Sequence, residues 1–353
     1  MIIFKIYGLP KIKYYIFVLM QLLRKLGFPI SLIYALVVYL RNYLYDVGLL
    51  PSKAYKTKTI CVGNLSVGGT GKTPMIEFLV ANVKTQGNIA VLSRGYGRKS
   101  KGYLLAKPGI GVEDLGDEPF QIHKKFPNAH VAVDADRQHG ISILEETIGP
   151  DIILLDDAFQ HRKVRCDQYV LLTSHSNLYV DDWYLPSGNL RDSKREAKRA
   201  NIIVVTKCPS KLSVAEQQRI KNKLNPGPGQ QLIFSYLDYE TTLKGNSGEI
   251  DLDELKNKKV TLVTGIANPN QLVSFLSAQG IVFEHLAYPD HHFFTEKEIA
   301  LFNNRELILT TEKDYVRLEG KGDNFYYIGV SHKFMNGGKE VLLNLLGESL
   351  TAP

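Results

Sequence analysis

The chain has 353 residues, 44% of them hydrophobic and 22% charged. That composition excludes wholesale disorder, and the length outgrows one comfortable core, so two domains or one with a long appendage are expected. The formal net charge is +7, with Lys5, Lys11, Lys13, Arg24, Lys25 and Arg41 set against Asp46 alone in the first 46 residues.

A basic surplus placed among apolar residues at one end suits an anionic membrane surface and argues against a nucleic-acid partner. Residues 14–46, "YYIFVLMQLLRKLGFPISLIYALVVYLRNYLYD", hold two uncharged runs, Tyr14 to Leu23 and Leu26 to Leu40, split by Arg24 and Lys25 and then by Pro29. Neither run reaches the roughly 20 apolar residues of a membrane span, and the break would put two cations near the bilayer centre. No small-residue cleavage site follows the first run, so a secretory signal is not expected. Gln21, Arg24 and Lys25 fall opposite Ile16, Leu19 and Leu23 on a helix, a pattern that fits residues 1–46 as amphipathic helices lying in the interface. Ordinary core helices packed on the next domain would show similar stripes, and the second helix can do both.

The next element is the strand "KTICV", then a Gly-rich turn, then the helical spacing of "KTPMIEFLVANVKTQG". Strand, loop and helix in that order are what a phosphate-binding P-loop requires, with backbone N–H groups converging at the helix start. Ser66, Val67, Gly68, Gly69, Thr70, Gly71, Lys72 and Thr73 form the expected nucleotide cradle, in which Lys72 reaches the terminal phosphates and Thr73 holds Mg²⁺. Ser66 stands where the strict pattern has its first glycine.

Asp117 and Glu118 precede Pro119 and Phe120, where acidic residues opening a helix are a common stabilising arrangement. "DIILLDDAFQHR" supplies a buried strand ending in Asp156 and Asp157. Neighbouring carboxylates on a strand face opposite ways, so one can orient Mg²⁺ while the other holds a neighbouring group. A GTPase would continue "VVTK" with a base-reading Asp two residues on, but Pro209 stands there. A partitioning-type ATPase switch normally carries a lysine where this chain has Val67, which leaves a membrane-associated switch as the weaker alternative.

From Thr57 to Lys207, "KTICV", "NIAVLS", "AHVAV", "DIILLD" and "NIIVVT" alternate with helical stretches. An α/β fold with a mostly parallel sheet covered by helices on both faces is therefore expected over 47–207. After the breaks at "CPSKLS" and "LNPGPGQQ", the strands "QLIFSYLDY", "KVTLVTGIA", "IVFEHLAY" and "ELILTT" suggest a second, smaller α/β domain over 208–353.

Taken in order, "NLSVGGTGKTP", "LSRGYGR", "GDEP", "DDAFQHR", "LPSGNLRDS", "VTGIANP", "YPDHHFF" and "TEKDYVRL" resemble the tetraacyldisaccharide 4'-kinases of lipid A biosynthesis, from about Leu32 to Leu318. The resemblance implies transfer of the γ-phosphoryl group of ATP, with Mg²⁺, to the 4'-hydroxyl of an acylated disaccharide 1-phosphate. The product would be lipid IVA, made at the cytoplasmic face of the bacterial inner membrane. An acylated substrate leaves the bilayer at a cost of about 0.8 kcal/mol per CH₂, so the enzyme would come to the membrane, with no obligate protein partner evident. By the same resemblance Asp117 is the catalytic aspartate that takes the sugar proton, His291 its dyad partner with His292 as substitute, and Arg94 a substrate-binding arginine. Arg98, Arg137, Gln160, His161 and Arg191 are weaker candidates.

Overall fold

The computed structural model of the chain describes residues 24, 26–83 and 88–351; the first apolar run, Tyr14 to Leu23, lies outside them. In chain order the elements are α1 (Phe28–Asp46), β1 (Lys58–Asn64), α2 (Lys72–Asn82), β2 (Ile89–Ser93), β3 (Leu104–Leu105), α3 (Asp117–Lys125), β4 (His130–Val133), α4 (Arg137–Thr147), β5 (Ile152–Asp156), β6 (Gln168–Ser174) and β7 (Ile202–Thr206). They continue with α5 (Val214–Leu224), β8 (Gln231–Tyr239), β9 (Thr242–Gly245), β10 (Gly248–Asp251), β11 (Val260–Thr264), α6 (Asn270–Ala278), β12 (Phe283–Ala287), α7 (Glu296–Asn303), β13 (Leu307–Thr311), β14 (Phe325–Ile328), β15 (Val330–Phe334) and α8 (Gly338–Thr351).

The larger sheet has the order β15-β8-β7-β6-β1-β5-β2-β4-β3. It is parallel except at its edges, where β15 runs against β8 and β3 against β4. Its central strands, β1, β5 and β7, are buried on both faces, as parallel sheets covered by helices must be. Along β1, Ile60 and Val62 enter one apolar core while Cys61 enters the other, the two-residue alternation of a strand put to use on both sides.

The second sheet, β10-β9-β14-β13-β11-β12, has its own apolar cores. The expected division at 207/208 does not hold. β8 and β15 both belong to the larger sheet, so the second unit, residues 240–329, is an excursion between them. Strand alternation alone cannot say which sheet a strand joins, because hydrogen-bonded pairing is a tertiary choice.

Helix α1 extends to Asp46, past the Leu40 limit of the uncharged run, and Pro29 sits in its first turn rather than breaking it; a proline there gives up an N–H that has no helical partner anyway. By length and apolar composition the helix suffices to cross a bilayer, which a reading that stopped before Arg41 does not register. One narrow stripe docks. Ser31, Val38 and Asn42 are buried, Asn42 Nδ2 donates to Asp192 at 2.7 Å, Arg41 bonds the same carboxylate at 3.0 Å, and Tyr34 Oη donates to the Arg191 carbonyl at 3.0 Å. The rest is left open and apolar, with Ile33, Leu36 and Val37 each more than 60% exposed.

A buried charge cluster ties the second unit to the first. Lys125, at the end of α3, bonds Glu77 of α2 at 2.8 Å and Glu312 of the second unit at 2.9 Å, while Gln121 donates to Glu77 at 2.7 Å. Burial, and then Glu312, raise the Glu77 pKa to about 7. A folded pKa above the unfolded one gives stability that is complete at low pH and lost as pH rises through about 7. Lys125→Met, leaving two buried carboxylates without a counter-ion, is therefore expected to cost about 3–5 kcal/mol. Glu77→Gln is expected to flatten the fall in Tm between pH 5 and pH 8. Thermal melts at the two pH values check both, and a Gln variant with the wild-type pH slope would refute the assignment.

Candidate active site

Strand β1 delivers Asn64 to the head of the loop, and α2 begins at Lys72. Between them Gly68 (φ 121°) and Gly71 (φ 86°) take backbone conformations that side chains resist. A Cβ on Gly71 would also come within 3.0 Å of the His332 ring. Asn64 Nδ2 donates to Thr70 Oγ1 at 2.9 Å, His332 bonds the Gly71 carbonyl at 2.9 Å, and Thr206 Oγ1 donates to the Thr70 carbonyl at 2.8 Å. The loop is thus braced from both sides. Ser66 is buried and bridged to Leu190, so at the departure from the strict pattern the chain meets the loop that carries Arg191.

Loop and helix start open on a cavity of about 1040 Å³, whose wall includes all of Val67 to Thr73, together with Arg94, Asp156, Asp157 and His291. Asp156 ends β5 buried, with Oδ2 accepting from Ser93 Oγ at 3.0 Å and Oδ1 buried without a protein partner. Burial and then the Asp157 charge push its pKa up to about 6. Asp157 does not continue the strand's alternation, because its φ of 48° turns it back toward the same cavity. Both its oxygens are taken by the Arg191 guanidinium, and Lys72 Nζ lies 3.7 Å away. Burial would raise the Asp157 pKa, but Lys72 and Arg191 outweigh it and hold it low.

Of the expected pair, Asp156 keeps a free oxygen for a metal and Asp157 serves the two cations. Arg94 is exposed at the cavity wall. Arg137 is buried and donates to the Asp156 carbonyl at 3.1 Å; Gln160 donates to the Asn64 carbonyl at 2.7 Å. His161 reaches the cavity with its pKa lowered to about 4 by burial. Arg98 is outside the wall and bonds Ser100 and Gly102.

On the far side, Gly116 (φ 87°) starts α3 at Asp117. His291, itself at φ 60°, brings Nδ1 to 2.6 Å from Asp117 Oδ2 across 174 positions of sequence. The pair is formed. Sequence reasoning missed a third member, Arg317 of "TEKDYVRL". Its Nε donates to Asp117 Oδ1 at 2.8 Å and its Nη2 to Oδ2, and both side chains are only 3% exposed. The guanidinium also lies over the Phe293 ring at 4.3 Å, a planar fork matched to a carboxylate.

Burial would raise the Asp117 pKa, but the His291 bond and Arg317 hold it below the ordinary value; the bond to Asp117 raises that of His291. His291 and Glu118 face the cavity while the Asp117 carboxylate lies behind them. The outward Nε2 of His291 is 3.2 Å from Lys313 Nζ, which Glu118 and Asp290 share at 3.1 Å each. His292 is instead stacked on Tyr288 and bonded to Glu298 at 3.1 Å, so it is not the dyad histidine.

Phosphate loops serve nucleotide switches as well as kinases. A switch has no use for a proton acceptor carried in from a second unit, and the Asp117–His291 pair therefore places the chain among P-loop phosphotransferases. Comparison narrows the class. The family model for tetraacyldisaccharide-1-P 4'-kinase matches residues 23–347, and the chain belongs to that family. It is similar to the tetraacyldisaccharide 4'-kinases of Flavobacterium johnsoniae (46% identity, 90% of this chain and 94% of the relative) and Flavobacterium psychrophilum (44%, 94% and 99%). Among solved structures it is similar to LpxK from Aquifex aeolicus in complex with ATP, with a TM-score of 0.75, 31% identity, and coverage of 93% of this chain and 99% of that one.

Proposed function

We propose that the protein phosphorylates the 4'-hydroxyl of a tetraacyldisaccharide 1-phosphate with ATP, yielding lipid IVA, and does so with Mg²⁺ at the cytoplasmic face of the inner membrane. The observation that carries this reading is that Tyr34 and Arg41 of the apolar helix α1 line the same cavity as the P-loop and His291. An acylated sugar held at that helix can keep its chains in lipid while its headgroup enters the cavity. Partners of this kind, an anionic membrane and an acylated disaccharide phosphate, also suit the cationic amino terminus.

The loop amides and Lys72 receive the triphosphate and offset the charge that builds on it during transfer. Mg²⁺ fits the donor set here, with the unpartnered Asp156 Oδ1 and Thr73 at the second residue of α2; when bound it neutralises and orients phosphate oxygens. As the sugar oxygen bonds the γ-phosphorus and the bond to ADP breaks, the hydroxyl proton passes to His291 Nε2, replacing the bond from Lys313. Asp117 holds the opposite ring N–H, and Arg317 holds Asp117. This division of roles differs from the one the resemblance implies. A carboxylate clamped by a guanidinium is a weak base, whereas a histidine with a raised pKa is matched to neutral pH.

With γ-labelled Mg-ATP and a detergent-dispersed disaccharide 1-phosphate, label is expected on the lipid in proportion to the ADP formed. Free phosphate without labelled lipid would overturn the kinase reading in favour of a nucleotide switch.

A further inference from the structure

Lys207, which follows Thr206 at the end of β7, has no part in the reading above. Thr206 is fully buried and bonded to the P-loop. The carbonyl of Thr206 accepts from the His175 N–H at 2.8 Å, and the Cys208 N–H donates to the Ser235 carbonyl at 3.0 Å. Clamped on both flanks, Lys207 is forced to φ 57°, a left-handed conformation that a residue with a Cβ resists. Its ammonium lies 3.7 Å from the position a Cβ on Gly69 would take, at the cavity wall. Among the described residues no carboxylate pairs with it, whereas Lys72 at the start of α2 has Asp157. Burial alone lowers its pKa, with no anion offsetting the effect. His332, whose imidazole feels the Lys207 charge, is buried and kept neutral, its ring nitrogens engaged by Ser235 and Gly71.

A strained backbone that holds an unpaired, half-buried cation against a phosphate-binding loop is costly unless an anion arrives there. We propose that Lys207 is a second phosphate-contacting cation of the nucleotide site, gripping the polyphosphate at Gly69 from the side opposite Lys72. The assignment rests on the nucleotide-binding reading of the loop.

The test is ADP affinity by calorimetry, with thermal melts, on the full chain in detergent. Lys207→Gly removes the charge and the strain together, so ADP is expected to bind about tenfold or more weakly while Tm stays level or rises. Lys207→Arg keeps the charge and is expected to retain affinity within about threefold. A loss under about threefold in the glycine variant, or an arginine variant as weak as the glycine one, overturns the proposal. Failure of the wild-type chain to bind ADP would instead remove the nucleotide reading itself, so the two failures are distinguishable.

Discussion

Asp117→Asn is expected to lower kcat by about 10³–10⁴-fold while leaving ADP affinity within about twofold, because the loss is confined to the proton-transfer half of the cavity. An amide offers one oxygen where the carboxylate offers two, and three donors now compete for it: Arg317 Nε, Arg317 Nη2 and His291 Nδ1. If the arginine keeps the oxygen, the ring loses the acceptor that fixes its proton on Nδ1. The other tautomer then presents an N–H to the sugar in place of a lone pair. Arg317, 3% exposed, also loses its counter-ion, and that should reduce stability by about 3–5 kcal/mol. Activity must therefore be expressed per folded molecule, with ADP binding as the gauge.

The pH profile of the wild-type enzyme separates the two possible proton acceptors. If His291 takes the proton, kcat/KM of the wild-type enzyme rises with pH through a value above 6.5, because the base must first lose its own proton and Asp117 makes that harder. If Asp117 were the base, the limb would fall below 3.8, since its pKa is depressed. A flat profile from pH 5 to 8, or an Asn variant within tenfold of wild type, would return the role to another group.

How far the sequence announced this site depends on how local each part is. The cradle is contiguous, and its chemistry is carried by glycines and one Lys-Thr pair, so it is readable without a fold. The dyad is not. Asp117 opens a helix, a place where an acid needs no further explanation, and its partner is 174 positions away; only a resemblance to known kinases joined them. Arg317 and Lys313 stood in a quoted motif, yet nothing local marks a cation whose partner is carried by another unit. The turn that sends Asp157 into the same cavity as Asp156 comes from one positive φ, which residue type does not foretell outside glycine and, weakly, Asn or Asp. The polar pair that follows the uncharged run, Arg41 and Asn42, belongs to the docking stripe of α1, since both bond Asp192.

Lys72→Ala should be the most severe change that leaves the fold untouched, with kcat/KM for ATP reduced by at least about 10³-fold. In the resting structure Lys72 shares Asp157 with Arg191, and the guanidinium alone engages both carboxylate oxygens. Removing the ammonium therefore strands no buried charge, and Tm should move by no more than about 1 kcal/mol equivalent. What is lost is a point charge at the start of α2, aimed where the transferring group becomes most negative. Arginine should not replace it, for its fork is larger and Asp157 would pair with it bidentately. Lys72→Arg is thus expected to fall within about tenfold of Lys72→Ala, whereas a charge-only role would let it recover. Steady-state kinetics at saturating lipid, beside melts of both variants, decide the matter: alanine turnover within tenfold of wild type would mean that the phosphates are neutralised elsewhere in the cavity.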